Sequence, residues 1–375
     1  MSRDHPFTQS LQQAVREGVF PGAVLLVRSY GEVVYHQAVG QMGQAPFDCP
    51  VTTHTIYDLA SLTKPLATTT AIVCLLQDGR LDLDQPVTEW LSEWKSTSYR
   101  NTTLRQLLHH SSGLPAWRRY YEALSPVGLP PKNEDERQAR ITGLLQTIAK
   151  EPMEYNPGSQ SVYSDLGFMA LGVVVERCVG TSLPDFCRQR MYDSLNINPL
   201  FFIDAEGNPT GGDGELTLVA PTEQDSWRGR LVHADVHDEN AFALGGVAGH
   251  AGLFGTALSV SQVSKAWLKA VLSQPSILPT DLAQQFVRRQ DPSGASSWVL
   301  GWDTPSQPSS SGHHFSSESF GHLGYAGTSL WIDPVRELEV ILLSNRVHPT
   351  RANKQIKVFR PEIHDLVVKE FGRTN

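Results

Sequence analysis

The sequence predicts an α/β (α+β) protein in which an antiparallel sheet is built from both chain termini, flanked by helices, and interrupted by a large, mostly helical insertion. Strand-like apolar runs at residues 22–27 and 31–35, around a Tyr30-Gly31 turn, are the first observation. Similar runs at 329–332 and 337–343 near the other end are the second. The third is the middle of the chain, where apolar residues recur at helical spacing between polar or Pro-rich loops. Residues 1–75 and 245–375 are therefore expected to form an α/β domain, and residues 76–244 a helical insertion domain, with the active site in the cleft between them. A length of 375 residues, about twice a usual domain, fits this plan.

Taken in order, residues 8–18 read as a short helix leading into the first hairpin. Residues 61–77 continue as a helix, and Gly79 just beyond is suited to its C-cap. Pro65 fits only the first turn of a helix, where its missing N–H would have no partner anyway, so this helix should begin close to Ser61. Helices follow at 104–109, 134–150, 166–179 and 183–191, with a Pro-rich loop at 125–132. A Gly-rich loop at 245–255 precedes a helix at 259–272, and a last helix is expected at 362–371. The Ser/Pro-rich stretch 305–311 reads as a surface loop.

Composition narrows the function. With 40% hydrophobic and 19% charged residues the chain can bury a substantial core. A net charge of -8 with no Lys/Arg run argues against nucleic acid or an anionic membrane as partner and favours a small-molecule substrate. The start lacks a basic segment followed by an apolar one, and no later stretch is apolar long enough to span a bilayer, so a cytoplasmic location is expected. Cys49, Cys74, Cys178 and Cys187 form no CxxC pair and read as reduced, structural thiols.

The most informative stretch is Asp58-Leu59-Ala60-Ser61-Leu62-Thr63-Lys64-Pro65. At a helix N-terminus Ser61 and Lys64 share a face one turn apart. Lys64 can then deprotonate or orient the hydroxyl, and the positive helix end favours a developing anion. Alone, this spacing more often marks a capped helix with a surface lysine.

Its surroundings add weight: Ile56-Tyr57 before it, Leu76-Gln77-Asp78-Gly79-Arg80-Leu81 after it, then Leu107-Leu108-His109-His110-Ser111-Ser112-Gly113-Leu114-Pro115. Two further motifs follow, Tyr163-Ser164-Asp165 and Gly321-His322-Leu323-Gly324-Tyr325-Ala326-Gly327-Thr328. Together they resemble the serine β-lactamase and penicillin-binding-protein family in its class C branch, across nearly the whole chain. The resemblance implies the β-lactamase/transpeptidase-like fold, a serine nucleophile, an acyl-enzyme and no cofactor or metal. It makes Ser61, Lys64 and Tyr163 catalytic, with Tyr163 accepting a proton in acylation and passing one to the leaving group. The backbone N–H groups of Ser61 and Tyr325 would form the oxyanion hole.

One position of the second motif departs from the family. Asp165 stands where it has Asn, and a carboxylate there cannot donate to a substrate carbonyl and should favour protonated Lys64. That makes Tyr163 the expected base, with Lys64 the alternative. His322 stands in for lysine in a His-x-Gly variant of the Lys-Thr-Gly strand, and is expected with Gly324 to line the substrate site.

Weaker signals concern the rest of the pocket. His233 and His237 have the i,i+4 spacing of metal ligands, with Asp235 or Asp238 as oxygen donors, but no HExxH is present and a solvated or loop-fixing role is expected. The stretch 236–254, with Gly246, Gly249 and Gly252, resembles a subgroup tied to cell-wall recycling. It either lines the substrate pocket with His250 or packs under a neighbouring helix. Arg346, His348 and Arg351 follow the last strand, and one of them, Arg346 foremost, could bind a substrate carboxylate.

The expected function is a serine hydrolase acting on an amide or ester, including a cell-wall-derived peptide or muropeptide amide. A carboxylesterase or true β-lactamase is the alternative within the class. A non-catalytic or slowly turning over binding module and a metal hydrolase are the rivals outside it. Oligomeric state is not legible.

Overall fold

The computed structural model describes residues 5–289 and 296–372. Its main sheet has five antiparallel strands in the order Glu32–Gly40, Gly22–Ser29, Leu338–Ser344, Ser329–Asp333, Phe320–Leu323. The N-terminal hairpin thus pairs directly with the C-terminal strands, Val24 opposite Leu343 and Leu26 opposite Ile341. Every residue of the two central strands Gly22–Ser29 and Leu338–Ser344 is buried, since helices cover both faces of the sheet. Side chains alternate between the faces. Val24, Leu26, Ile341 and Leu343 enter the main core, whereas Ala23, Leu25, Val27, Val340 and Leu342 pack against the terminal helices Pro6–Arg16 and Ile356–Phe371.

The main core runs without a break from the sheet through Leu62, Leu66 and Ile72 into the insertion helices Glu134–Ile148 and Asp165–Val179. Local chemistry marks the ends of these helices. Asn133 and Ser164 side chains accept from the amides of Glu136 and Gly167, and Gly180, at φ 76, ends the second helix. A second small sheet was not anticipated: Leu253–Gly255 pairs with both Tyr57–Asp58 and Leu200–Ile203. Strands this short carry no readable alternation. The helix Thr280–Val287 was also unforeseen, and the last helix begins at Ile356 rather than 362, with Pro361 inside it. All four cysteines are unpaired.

The Gly-rich loop packs closely at Gly249. A Cβ on Gly249 would lie 2.2 Å from Phe168 O and 2.7 Å from Gly172 Cα, so loop and helix backbones touch. Gly249→Ala is expected to destabilise by about 1–3 kcal/mol through overpacking, read as a lower urea midpoint at unchanged slope. Gly180→Ala, whose Cβ meets nothing within 4 Å, isolates the cost of a left-handed backbone for comparison. An unchanged midpoint in Gly249→Ala would show that the contact at Gly249 relaxes freely.

Candidate active site

The turn carrying Ser61 is held from several sides. Ala60 adopts φ 49, a left-handed conformation that costs a non-glycine residue of order 1–3 kcal/mol. The buried Asp58 carboxylate offsets this by accepting from the Ala60 and His237 amides, each at 2.7 Å. Thr63 Oγ1 donates to Ala60 O at 2.7 Å and accepts from Leu253 N at 3.0 Å. The chain then passes from the 3₁₀ turn Ala60–Leu62 through the wider turn Lys64–Thr69 into the α-helix Thr70–Gln77. The expected helix start near Ser61, with Pro65 in the first turn, is what the structure has.

Three side chains meet at Ser61. Lys64 Nζ donates to Ser61 Oγ at 2.9 Å and to His250 O at 3.0 Å, and Tyr163 OH donates to the same Oγ at 2.9 Å. Asp165 Oδ1 lies 2.6 Å from Lys64 Nζ, an ion pair without hydrogen-bond alignment. Burial and this ion pair oppose each other at Lys64. Complete burial disfavours the ammonium more than Asp165 favours it, so the lysine loses its proton more readily than usual. For Tyr163 both influences act together, and burial and then Asp165 push its phenol well above the ordinary value. The expected assignment of the base to Tyr163 therefore finds no electrostatic support, because Asp165 was weighed without the burial of Lys64.

Aromatic rings fix Tyr163. His110 and Trp298 lie 4.8 and 4.9 Å from its ring centre, and His110 Nδ1 accepts from Ser164 N at 3.1 Å. His322 completes the group at 5.9 Å. Its Nδ1 bonds Leu323 O at 2.8 Å, and burial, helped by Lys64, holds it down at about 3, so the ring is neutral. His322 thus brings no cation to the position where the family's lysine would.

The turn after this strand packs against Leu59 and Ala60, just before Ser61. A Cβ on Gly324 would sit 2.0 Å from Thr328 Oγ1 and 2.5 Å from Leu59 O, so only glycine allows the approach. The turn closes through Gly324 N to Thr328 O at 2.8 Å and Gly327 N to Gly324 O at 3.2 Å, leaving the Tyr325 N–H outside its own bonding. Arg346 does not stand ready for a substrate carboxylate as expected. Its Nε and Nη2 grip Tyr325 O at 3.0 and 2.7 Å, and Nη1 takes Asn353 O at 2.7 Å. It positions Tyr325.

Residues 237–239 close the opposite wall. Asp238 bonds His250 Nε2 at 2.9 Å and caps the next short helix through Ala241 N at 2.8 Å. Burial alone would raise Asp238, but His250, that amide and Lys64 outweigh it and hold the carboxyl well below the usual range. His250 itself is buried behind the pocket and acts through Asp238 and its carbonyl on Lys64, so it is not the lining residue it was expected to be. His237 pairs with Glu223 at 3.0 Å and stacks on Tyr325, whereas His233 packs on Phe47. These contacts tie both histidines to neighbouring segments, and His237 is buried rather than solvated.

Together these walls enclose a pocket of about 680 Å³ whose lining includes Ser61, Tyr163, Asp165, His322, Gly324 and Tyr325. Sequence reasoning missed Trp117, Trp298, Asp303 and Arg360, which also line it. Burial pushes Asp303 up to about 6. Among the described residues no single helix is long and apolar enough to cross a membrane.

Fold and pocket place the molecule in the β-lactamase/penicillin-binding-protein class. The chain belongs to the beta-lactamase family, whose model matches residues 7–362. It is 30% identical to a protein of Escherichia coli O157:H7 named "Putative D-alanyl-D-alanine carboxypeptidase", over 96% of this chain and 86% of that one. In fold it is similar to EstCE1, described as a hydrolase with promiscuous acyltransferase activity (TM-score 0.72, 20% identity, 96% and 97% of the two chains). It is also similar to the octameric penicillin-binding protein homologue of Pyrococcus abyssi (TM-score 0.71, 22% identity, 97% and 76%).

Proposed function

We propose that this protein is a serine hydrolase that cleaves an amide or ester through an acyl-enzyme, with Ser61 as nucleophile. The observation that carries the reading is Ser61 Oγ held at 2.9 Å by both Lys64 Nζ and Tyr163 OH beneath an open pocket. Neutral Lys64 takes the Ser61 proton as Oγ bonds the carbonyl carbon, and the Ser61 and Tyr325 amides receive the oxyanion. Tyr163 gives its proton to the leaving nitrogen or oxygen as the C–N or C–O bond breaks, and is reprotonated from Lys64. Water then cleaves the acyl-enzyme to a carboxylic acid and free Ser61. No cofactor enters this scheme. The cleft lies between residues of the proposed α/β domain (Ser61, Gly324) and of the proposed insertion (Tyr163, His237).

Relatives named as carboxypeptidases favour a cell-wall-derived peptide or muropeptide amide as substrate, and the likeness to EstCE1 favours small esters as probes. A fluorophosphonate is expected to form one adduct, at Ser61, located by peptide mapping. No adduct, or one that maps elsewhere, overturns the reading.

The protein is also expected to be a poor β-lactamase. Beside Ser61, Leu323 lacks the hydroxyl and neutral His322 the charge that the family's Lys-Thr-Gly strand would offer a β-lactam carboxylate, and Asp165 adds a negative charge. Nitrocefin hydrolysis with kcat/KM of about 10⁶ M⁻¹s⁻¹ or more, well within the range of efficient enzymes, would contradict this.

A further inference from the structure

The strand Phe320–Leu323 ends the main sheet, and the segment 298–303 fastens onto its open edge: Asp303 N donates to Gly321 O at 2.8 Å and Gly321 N to Asp303 O at 2.9 Å. Trp298 pairs in turn with Asp303 across an antiparallel bridge, and its ring lies 5.6 Å from that of His322. Trp298, Asp303 and His322 all line the pocket that holds Ser61. Nδ1 of the neutral His322 bonds Leu323 O, and since a carbonyl only accepts, that nitrogen carries the proton and Nε2 keeps a lone pair. Nε2 is buried and has no hydrogen-bond partner.

Asp303 adds a carboxylate that nothing matches. Among the described residues four carboxylates line the pocket, and three have a basic side chain against them: Asp165 has Lys64, Asp238 has His250 and Glu239 has Arg351. Asp303 has none within ion-pair distance. Arg289 acts on it only from farther away, and the donors it does have, Thr304 N at 3.0 Å and the Ser297 side chain, are neutral. Keeping a carboxylate out of water without a counter-ion is costly. An orphaned acceptor, an indole face and an unmatched carboxylate on one wall are groups that a single ammonium ion satisfies together. We propose that this wall is an ammonium subsite: the substrate carries a protonated amine that Asp303 and His322 Nε2 receive against the ring of Trp298. The pocket's own arginines are engaged elsewhere, Arg346 and Arg360 on carbonyls of the turn 324–328 and Arg351 on Glu223 and Glu239. Tyr163 links the subsite to the chemistry, since its ring lies 4.9 Å from that of Trp298 and its hydroxyl donates to Ser61 Oγ. The substrate class is thereby narrowed to amides or esters that bear a free amine on a short substituent of the bond being cleaved.

This deepens the proposed function and rests on it for the kinetic readout. Steady-state kinetics would compare two pairs of esters of matched shape, one member of each pair carrying an ammonium: 4-nitrophenyl 6-aminohexanoate with 4-nitrophenyl heptanoate for the acyl half, and 4-(2-aminoethyl)phenyl acetate with 4-propylphenyl acetate for the leaving half. The assays are run near pH 8, where the amines are protonated and Asp303, pushed up to about 6, is ionised. For at least one pair, the ratio of kcat/KM for the cationic ester to that for the neutral one should fall about tenfold or more in Asp303→Asn, the scale of one charge-assisted hydrogen bond, mainly through KM. Asparagine keeps the shape and can still accept from Thr304 N, so the change removes charge rather than fold. His322→Leu removes the orphaned acceptor and should lower the same ratio roughly threefold or more. Because His322 also packs on Tyr163, activity on both esters can drop there, and the ratio is what decides. Ratios unmoved in both pairs by Asp303→Asn, or by His322→Leu, would overturn the subsite. No turnover of any ester by the wild type would overturn the hydrolase reading, and calorimetry then decides the subsite: the affinity of tyramine relative to 4-propylphenol should fall about tenfold in Asp303→Asn, and an unchanged relative affinity would overturn it.

Discussion

Ser61→Ala is expected to lower hydrolysis of 4-nitrophenyl acetate by roughly 10⁴-fold or more, the scale at which a site that has lost its nucleophile retains only binding and oxyanion stabilisation. The change removes one partly buried oxygen that accepts from Lys64 and Tyr163, and leaves the rest of the turn in place. The backbone at Ala60 stays fixed by Asp58 and Thr63, and Lys64 keeps His250 O and Asp165 as partners. Thermal unfolding should therefore shift little while activity and the fluorophosphonate adduct disappear together. Residual turnover within about tenfold of wild type would show that another group attacks the substrate, and the proposed function would fall with it.

The sequence disclosed the parts of this site that sit in short, ordered motifs. Ser61 and Lys64 share one helical turn, Pro65 places the helix start, and Tyr163 lies just before a helix whose cap, Ser164, is visible in the sequence. The sheet was legible from both ends because its central strands are buried on both faces and read as unbroken apolar runs. Other parts depend on tertiary burial, which no spacing reports. Asp165 was read as a partner that keeps Lys64 charged, but the complete burial of Lys64 reverses the balance. Arg346 looked free because nothing in its neighbourhood names Tyr325 O, 21 positions away in the chain, as its acceptor. Trp117, Trp298 and Arg360 come to the pocket from distant segments with no motif of their own. The short strands 57–58 and 253–255, which steady the turn carrying Ser61, are too brief to announce themselves.

The assignment of the base can be decided by pH. Lys64→Met is expected to slow acylation by roughly 10²–10⁴, the usual worth of general acid-base assistance. Methionine fills a similar volume without a charge, so the loss should be one of rate rather than of fold. If Lys64 is the base, as proposed, the rate should rise with pH as its proton leaves, at a pH below the ordinary lysine value because burial destabilises the ammonium. Asp165 works against this by favouring the charged form. Removing it in Asp165→Asn should lower the lysine's pKa further and move the rising limb of kcat/KM to lower pH, by about one unit or more for the loss of so close an ion pair. Tyr163→Phe should slow the reaction by roughly 10²–10⁴ as well, but leave the limb close to its wild-type position, since the phenol, pushed up by burial and Asp165, stays protonated across the range. If Lys64→Met kept the limb and Tyr163→Phe abolished it, the phenol would be the base and the burial argument would be wrong. A shift of the Asp165→Asn limb to higher pH would likewise show that Lys64 does not act as the neutral amine.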